Sequence, residues 1–200
     1  MEAFMNYILL IIVGYLIGTI PCSYLVGKMM GNIDVREHGS GNAGATNVLR
    51  TVGKKAALYA LIGDVLKGVI PAIIGQMVLG MDGAVLCAIF AVIGHCYPIT
   101  LGFKGGKGVA TAGGMIIGTN PLVALGLFIY MFGVIKTTKY VSLASITAAI
   151  IYPITFWILY DSPIVRIGSI FLGALIVFKH RANIQRLLSG NESKTTLFDK

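Results

Sequence analysis

Two glycine-rich segments carry most of the residues that could do chemistry. The first segment, residues 38–50, reads HGSGNAGATNVLR, and the second, residues 103–108, reads FKGGKG. Closely spaced glycines let backbone N–H groups turn toward a common point, and such a concavity binds anions. Arginine adds a planar, two-pronged donor that suits phosphate, and lysine adds a compact positive charge. Both segments therefore predict the binding of phosphate groups.

In the first segment, Arg50 is the cation, and a helix beginning near Thr46 would add its N-terminal dipole. The spacing G-x-G-x-x-G also occurs, but no strand precedes it, so a dinucleotide site is not predicted. A flexible interfacial loop is the alternative. The candidate phosphate ligands are Gly39, Ser40, Gly41, Asn42, Gly44, Thr46, Asn47 and Arg50.

In the second segment, two lysines alternate with glycines just before a helix predicted to begin at Val109. The spacing is not that of a Walker loop, because Lys107 is followed by glycine and not by serine or threonine. Anchoring by positive charge at the membrane surface would explain the lysines but not the glycines. The candidate phosphate ligands here are Lys104, Gly105, Gly106, Lys107 and Gly108.

Six further polar residues lie within or beside apolar runs. Lys67 shares a helix face with Asp64 at i, i+3, which predicts either phosphate binding or an ion pair that locks helix packing. His95 is either a structural histidine or a catalytic one. His180 and Asn183 would share a face if the last helix continues, and Ser142 opens another apolar run at the same depth.

The composition predicts which elements position these residues. Of the 200 residues, 56% are hydrophobic and only 12% are charged, with a mean hydropathy of +0.83. Soluble domains carry about 25% charged residues, so a soluble globular enzyme is excluded. A net charge of +8 would suggest nucleic acid in a soluble protein. Here the basic residues occupy short loops, so orientation in a membrane explains them and no nucleic-acid partner is expected.

We predict an all-α, polytopic integral membrane protein with about seven transmembrane helices. The basic loops then lie inside while Glu2, Asp82 and Asp161 lie outside, which puts the N-terminus outside and the C-terminus in the cytoplasm. A single membrane domain would cover residues 1–188, followed by a polar, frayed tail at 189–200. The predicted crossings are 4–30 with a kink at Pro21, 56–79, 84–101, a hairpin of two short helices of about 13 residues each in 109–135, 141–160 and 163–178.

The motifs that would indicate other chemistry do not occur. No cluster has zinc-ligand spacing, no G-x-S-x-G elbow is present, and no acidic pair in the loops resembles a magnesium site. We therefore expect a cationic site at the membrane interface without metal or cofactor. Access to both lipid and cytosol is expected, as is the absence of an obligate protein partner.

The motifs together resemble one known family. HGSGNAGATN at 38–47, DVLKG at 64–68 and GHCYP followed by FKGGKGVAT at 94–111 are similar to the bacterial acyl-phosphate-dependent glycerol-3-phosphate acyltransferases, the PlsY family. The resemblance covers nearly the whole chain. It implies transfer of a fatty acyl group from acyl-phosphate to the 1-hydroxyl of sn-glycerol 3-phosphate in the bacterial inner membrane. The products would be lysophosphatidic acid and phosphate.

The resemblance also implies roles for named residues. Ser40 and Arg50 would hold one phosphate, Lys104 and Lys107 another, and the active site would face the cytoplasm. The general base is either His95, His180 or a phosphate oxygen of the substrate. The catalytic candidates are Ser40, Arg50, His95, Lys107, His180 and Asn183. A phosphate-ester transporter and a structural lipid-binding protein are the other classes that the sequence leaves open.

Overall fold

The computed structural model describes residues 2–195, apart from the side chain of Ala3, and every regular element in this range is helical. The predicted all-α class is confirmed. A short 3₁₀ turn at Ile99–Leu101 precedes the second glycine-rich segment. The α-helices are α1 (Glu2–Gly18), α2 (Cys22–Gly31), α3 (Ala45–Thr51), α4 (Lys54–Cys96), α5 (Val109–Thr119), α6 (Pro121–Thr138), α7 (Val141–Leu159), α8 (Pro163–Lys179) and α9 (Arg181–Leu188).

Helix α4 doubles back on itself. Its 43 residues would extend to about 65 Å as one straight helix, more than twice the thickness of a bilayer core. The backbone leaves the helical region at Leu79 and Gly80, where the φ of Gly80 is +60°. A Cβ built on Gly75 would overlap the Gly83 carbonyl, so the two arms of α4 pack against each other directly beside this turn. The separately predicted helices 56–79 and 84–101 are these two arms.

Proline and asparagine set the other helix boundaries. Pro21 separates α1 from α2, as the predicted kink required. Asn120 caps α6, its side-chain oxygen accepting from the Val123 N–H at 3.1 Å. The segment 109–135 therefore forms two helices as predicted, but they contain 11 and 18 residues because α6 continues to Thr138. The arm predicted to reach residue 101 ends at Cys96, since Pro98 cannot continue it.

Four helical stretches in the described residues are long and apolar enough to cross a membrane, and a fifth qualifies if α8 and α9, bent by 57°, count as one. These stretches are residues 4–31, 54–101, 121–138 and 141–159. Helix α5 is apolar but shorter. The structure is thus that of an integral membrane protein, in which large apolar side chains are exposed on most helices.

The described chain forms two compact units that divide after Thr119. In the first unit, α1 packs on the second arm of α4 through Gly14 and Gly18, and α5 packs on the first arm through Gly114. In the second unit, α7 lies between α6 and α8, and α9 follows the bend at the end of α8.

The described part of the C-terminal tail is packed on the second unit. Glu192 and Thr195 are buried, and the Thr195 N–H donates to the Lys139 carbonyl at 2.8 Å. The expectation of a frayed tail from Ser189 onward is therefore wrong for residues 191–195, because the buried carboxylate of Glu192 ties this stretch down. Residues 196–200 lie outside the described range.

A cationic, glycine-rich candidate site

Asn47 organises the first glycine-rich segment. Its side chain is 1% exposed. Its amide oxygen accepts from the Ser40 N–H at 2.8 Å, and its amide nitrogen donates to the carbonyls of Val35 and His38 at 2.6 and 3.0 Å. Both amide hydrogens and the oxygen are thus used inside the loop. The role of Asn47 that the geometry supports is to shape the loop, and its contact with a phosphate stays a prediction.

The backbone of this loop turns at two glycines, where φ is +61° at Gly39 and +69° at Gly41. Residues with a Cβ rarely adopt a positive φ of this size, so glycine is needed at both positions. Helix α3 begins at Ala45, next to the predicted start, and Gly44 is its N-cap residue. The segment places the side chains of Ser40, Thr46 and Arg50 on the surface, while Asn42 is half-buried.

Arg36 precedes the first segment by two residues and bonds to Leu101, which precedes the second segment by two residues. Its guanidinium forms a two-pronged pair with Asp34, at 3.0 and 2.7 Å, and lies 5.2 Å from the ring centre of Tyr24. It also donates to the carbonyl of Leu101 at 3.3 Å. The side-chain hydrogen bond from Arg36 lowers the pKa of Asp34, so the pair is ionised at neutral pH. Arg36 was not among the sequence candidates.

The second segment lies against the end of α4. The Gly106 N–H donates to the His95 carbonyl at 3.1 Å. A Cβ on Gly106 would overlap the Nε2 atom of His95 and would lie 2.7 Å from the Ala43 carbonyl of the first segment. The two glycine-rich segments therefore meet beside His95, and this close approach explains why glycine occurs at this position.

The lysines of the second segment differ in exposure. Lys104 is exposed and Lys107 is half-buried, and α5 begins at Val109 as the sequence predicted. Gly105 is half-buried, and Gly108, with a φ of +84°, turns the chain into the helix.

Lys67 and His95 are both buried in the first unit, each about 5% exposed. The ammonium of Lys67 lies 2.8 Å from Asp64 Oδ1 and donates to the Ile20 carbonyl at 2.9 Å. The ion pair that was one of the two sequence alternatives is thus formed. A lysine ammonium has three donors, so these contacts leave one for a ligand. A phosphate contact of Lys67 stays a prediction.

In the second unit, Glu192 joins two of the predicted site residues. Its Oε1 accepts from Asn183 Nδ2 at 2.7 Å and from Ser142 Oγ at 2.8 Å, and its Oε2 accepts from Arg186 Nε at 2.8 Å. Burial opposes ionisation of Glu192, but these three hydrogen bonds outweigh it and lower the pKa of the carboxyl. Sequence reasoning missed Glu192, although it is the only acidic side chain in the sequence between Asp161 and Asp199.

His180 lies at the junction of α8 and α9 and is 3% exposed. Its Nδ1 is 2.8 Å from the Ile176 carbonyl. The condition under which His180 and Asn183 would share a helix face, a continuing last helix, is not met, because the chain bends by 57° here. His180 and Asn183 nevertheless belong to one local structure, since the Ile184 N–H donates to the His180 carbonyl at 2.9 Å.

The fold and this chemistry define an integral membrane protein with cationic, glycine-rich segments suited to phosphate groups. The family model for glycerol-3-phosphate acyltransferase matches residues 8–190, and the chain belongs to that family. The resemblance drawn from the motifs is thereby confirmed.

Relatives and solved structures agree with this assignment. Glycerol-3-phosphate acyltransferases of Thermoanaerobacter sp. (strain X514) and Clostridioides difficile (strain 630) are 46% and 44% identical, over 95% and 97% of this chain and 96% and 97% of theirs. Two crystal structures of PlsY (YgiH), an integral membrane glycerol 3-phosphate acyltransferase, are 42% identical to it. The glycerol 3-phosphate form has a TM-score of 0.90 with 96% coverage of both chains, and the lysophosphatidic acid form has 0.87 with 94%.

Proposed function

We propose that this protein transfers a fatty acyl group from an acyl-phosphate to the 1-hydroxyl of sn-glycerol 3-phosphate, giving lysophosphatidic acid and phosphate. Membership of the family supports acyl transfer to glycerol 3-phosphate and a place in phospholipid synthesis. One observation carries the choice of donor. The chain brings together two separate cationic, glycine-rich segments, enough for two phosphate groups, and each of the two substrates carries one.

In the proposed mechanism, Ser40 and Arg50 hold one phosphate while Lys104 and Lys107 hold the other. Positive charge and backbone N–H groups beside the acyl carbonyl would stabilise the oxyanion that forms when the hydroxyl attacks, by about 3–4 kcal/mol for each donor. Holding both reactants together adds the advantage of proximity. The C–O bond to the departing phosphate then breaks, and the acyl-phosphate needs no further activation.

The attacking hydroxyl must lose a proton. His95, His180 or a phosphate oxygen of the substrate is the proposed acceptor, since each is a base near neutral pH. Asn183 and Ser142 are proposed as further substrate-binding residues, and Glu192 fixes both of them. The remaining proposed phosphate ligands are Gly39, Gly41, Asn42, Gly44, Thr46, Asn47, Lys67, Gly105, Gly106 and Gly108.

We propose the same membrane arrangement that the charges predict. Seven crossings of a bacterial inner membrane within residues 1–188 put the N-terminus outside, the C-terminus inside and the active site at the cytoplasmic face. The supporting asymmetry is that Arg36, Lys104 and Lys107 fall in loops on one side, whereas Asp82 and Asp161 fall on the other.

A two-substrate assay tests the reaction. The purified protein, in detergent micelles, receives palmitoyl-phosphate and radiolabelled glycerol 3-phosphate, and both lysophosphatidic acid and phosphate are measured. One phosphate released for each acylated product, and none without glycerol 3-phosphate, is expected. Product formed from palmitoyl-coenzyme A but not from palmitoyl-phosphate contradicts the proposed donor. Uptake of glycerol 3-phosphate into proteoliposomes without product formation favours a transporter.

A further inference from the structure

We infer that Asp64 is a positioning residue for this reaction, which acts by holding His95 against the junction of the two glycine-rich segments. The inference rests on the proposed function, because the activity assay uses the substrates proposed there. It assigns Asp64 a role beyond an ion pair with Lys67, and it holds whichever group serves as general base.

Asp64 lies at the centre of a buried polar cluster in the first unit. Its Oδ1 lies 2.8 Å from Lys67 Nζ and 3.5 Å from His95 Nδ1, and its Oδ2 accepts from Ser23 Oγ at 3.2 Å. The carboxylate is 2% exposed, and Lys67 also donates to the Ile20 carbonyl. Both oxygens of Asp64 are therefore held, so its orientation toward His95 is fixed.

The cluster joins three elements of the first unit. Ile20 lies in the break between α1 and α2, and Ser23 lies in the first turn of α2. Asp64 and Lys67 belong to the first arm of α4, whereas His95 belongs to the second arm. A cavity opens at this point, and its lining includes Pro21, Ser23, Asp64, Lys67, His95 and Gly106.

His95 contacts both this cluster and the proposed site. One ring nitrogen, Nδ1, faces Asp64, while the other, Nε2, approaches Gly106 so closely that a Cβ there would overlap it. The same Cβ would lie 2.7 Å from the Ala43 carbonyl. A rotated or displaced His95 ring would therefore push against Gly106, and Gly106 lies between the two lysines proposed to bind phosphate.

Helix packing alone does not require these charges. Removing a carboxylate and an ammonium from water is costly, and well-packed apolar residues of similar volume often stabilise a fold equally well or better. Ionisable groups inside membrane helices are rare for the same reason and usually serve function. The geometry gives the carboxylate such a use, because its Oδ1 lies 3.5 Å from His95 Nδ1 and would attract that side of the ring whenever the imidazole is protonated.

The test is a double-mutant cycle between Asp64→Asn and His95→Ala, with Asp161→Asn as the control. Asp161 carries a carboxylate that is 95% exposed, is paired with Arg166 and belongs to the second unit. Turnover of palmitoyl-phosphate with radiolabelled glycerol 3-phosphate is measured alongside thermal unfolding in detergent. If the turnover of a His95→Ala variant is too slow to measure, the binding of labelled glycerol 3-phosphate is measured by equilibrium dialysis for all variants of the cycle.

Asp64→Asn should lower kcat/KM by about 10- to 100-fold, the scale known for removing a partner that orients a metal-binding histidine. In the His95→Ala background the same change should have less than about a threefold effect, since sites that act through one another are not additive. Asp161→Asn should match the parent protein. Equal effects of Asp64→Asn in both backgrounds, or an activity loss that only follows the folded fraction, overturn the inference.

Ser23→Ala covers the case in which Asp64→Asn does not fold. It removes one hydrogen bond to the carboxylate and should lower kcat/KM roughly three- to tenfold, corresponding to about 1 kcal/mol, with a small change in unfolding temperature. Unchanged kcat/KM in Ser23→Ala then overturns the inference. If the parent protein itself makes no lysophosphatidic acid from palmitoyl-phosphate, the proposed function fails. The role of Asp64 is then tested by equilibrium dialysis with labelled glycerol 3-phosphate.

Discussion

Replacing Glu192 by alanine should destabilise the protein by about 3 kcal/mol. The change removes the oxygen that accepts from Ser142 Oγ and Asn183 Nδ2, and these two residues, only 7% and 6% exposed, would stay buried. Each buried hydrogen bond that loses its acceptor costs about 1–3 kcal/mol. The pair with Arg186 adds little, because the Arg186 side chain is 43% exposed and regains water. At about 2–4 °C per kcal/mol for a chain of this size, the unfolding temperature should fall by roughly 6–12 °C.

Thermal unfolding of the purified protein in detergent measures this effect, with Asn191→Ala as the matched control. Asn191 is adjacent and exposed, and its side chain contacts only Ser189 among the hydrogen bonds of the described residues. Glu192→Gln should recover most of the loss, because an amide oxygen in the place of Oε1 can still accept from both Ser142 and Asn183, and only the acceptor for Arg186 is lost. An unfolding temperature of Glu192→Ala within about 1 °C of Asn191→Ala would refute this reasoning.

Three further predictions concern pH, packing and loop order. Because the pKa of Glu192 is lowered in the folded state, ionised Glu192 stabilises the fold at pH values above its unfolded-state pKa. The difference in free energy of unfolding between the parent protein and Glu192→Gln should therefore shrink as pH falls through the folded-state pKa. A difference that does not change with pH contradicts this. Gly114→Ala should cost about 1–3 kcal/mol, because its Cβ would overlap a carbonyl of α4, whereas Gly113→Ala meets nothing within 4 Å and should be neutral in the same unfolding assay. Arg36→Ala removes the ion pair with Asp34 and should loosen the first glycine-rich segment. The KM for glycerol 3-phosphate should then rise roughly fivefold. An unchanged KM would show that the pair does not order the loop.

Local signals in the sequence predicted much of the helix layout. The break at Pro21 and the start of α5 at Val109 follow from proline and glycine, whose conformational preferences act within a few residues. The division of 109–135 into two helices was predicted as well. The two arms of α4 were predicted as separate helices from the lengths of their apolar runs. Helix boundaries were less accurate: the second arm of α4 ends at Cys96, before Pro98, and not at residue 101 as predicted.

Long-range pairing could not be predicted. The bond between Ser142 and Glu192 joins residues 50 positions apart, and no local pattern indicates that the tail returns to α7. Asn47 illustrates a second limit. Its residue type suited phosphate binding, but only the structure shows that its amide is fully used in shaping the loop. The sequence indicated the kind of chemistry, whereas the division between ligands and supporting residues depends on geometry.

Lys107→Ala tests the central claim most directly, namely that the cationic glycine-rich segments bind the phosphates of the reactants. Release of phosphate from palmitoyl-phosphate that depends on glycerol 3-phosphate is measured for Lys107→Ala and for Lys136→Ala, an exposed lysine at the end of α6 outside both segments. With both variants folded, Lys107→Ala should lose at least about a hundredfold in turnover, the scale expected for one donor to developing charge, and Lys136→Ala should lose none. Turnover of Lys107→Ala close to that of Lys136→Ala would contradict the claim.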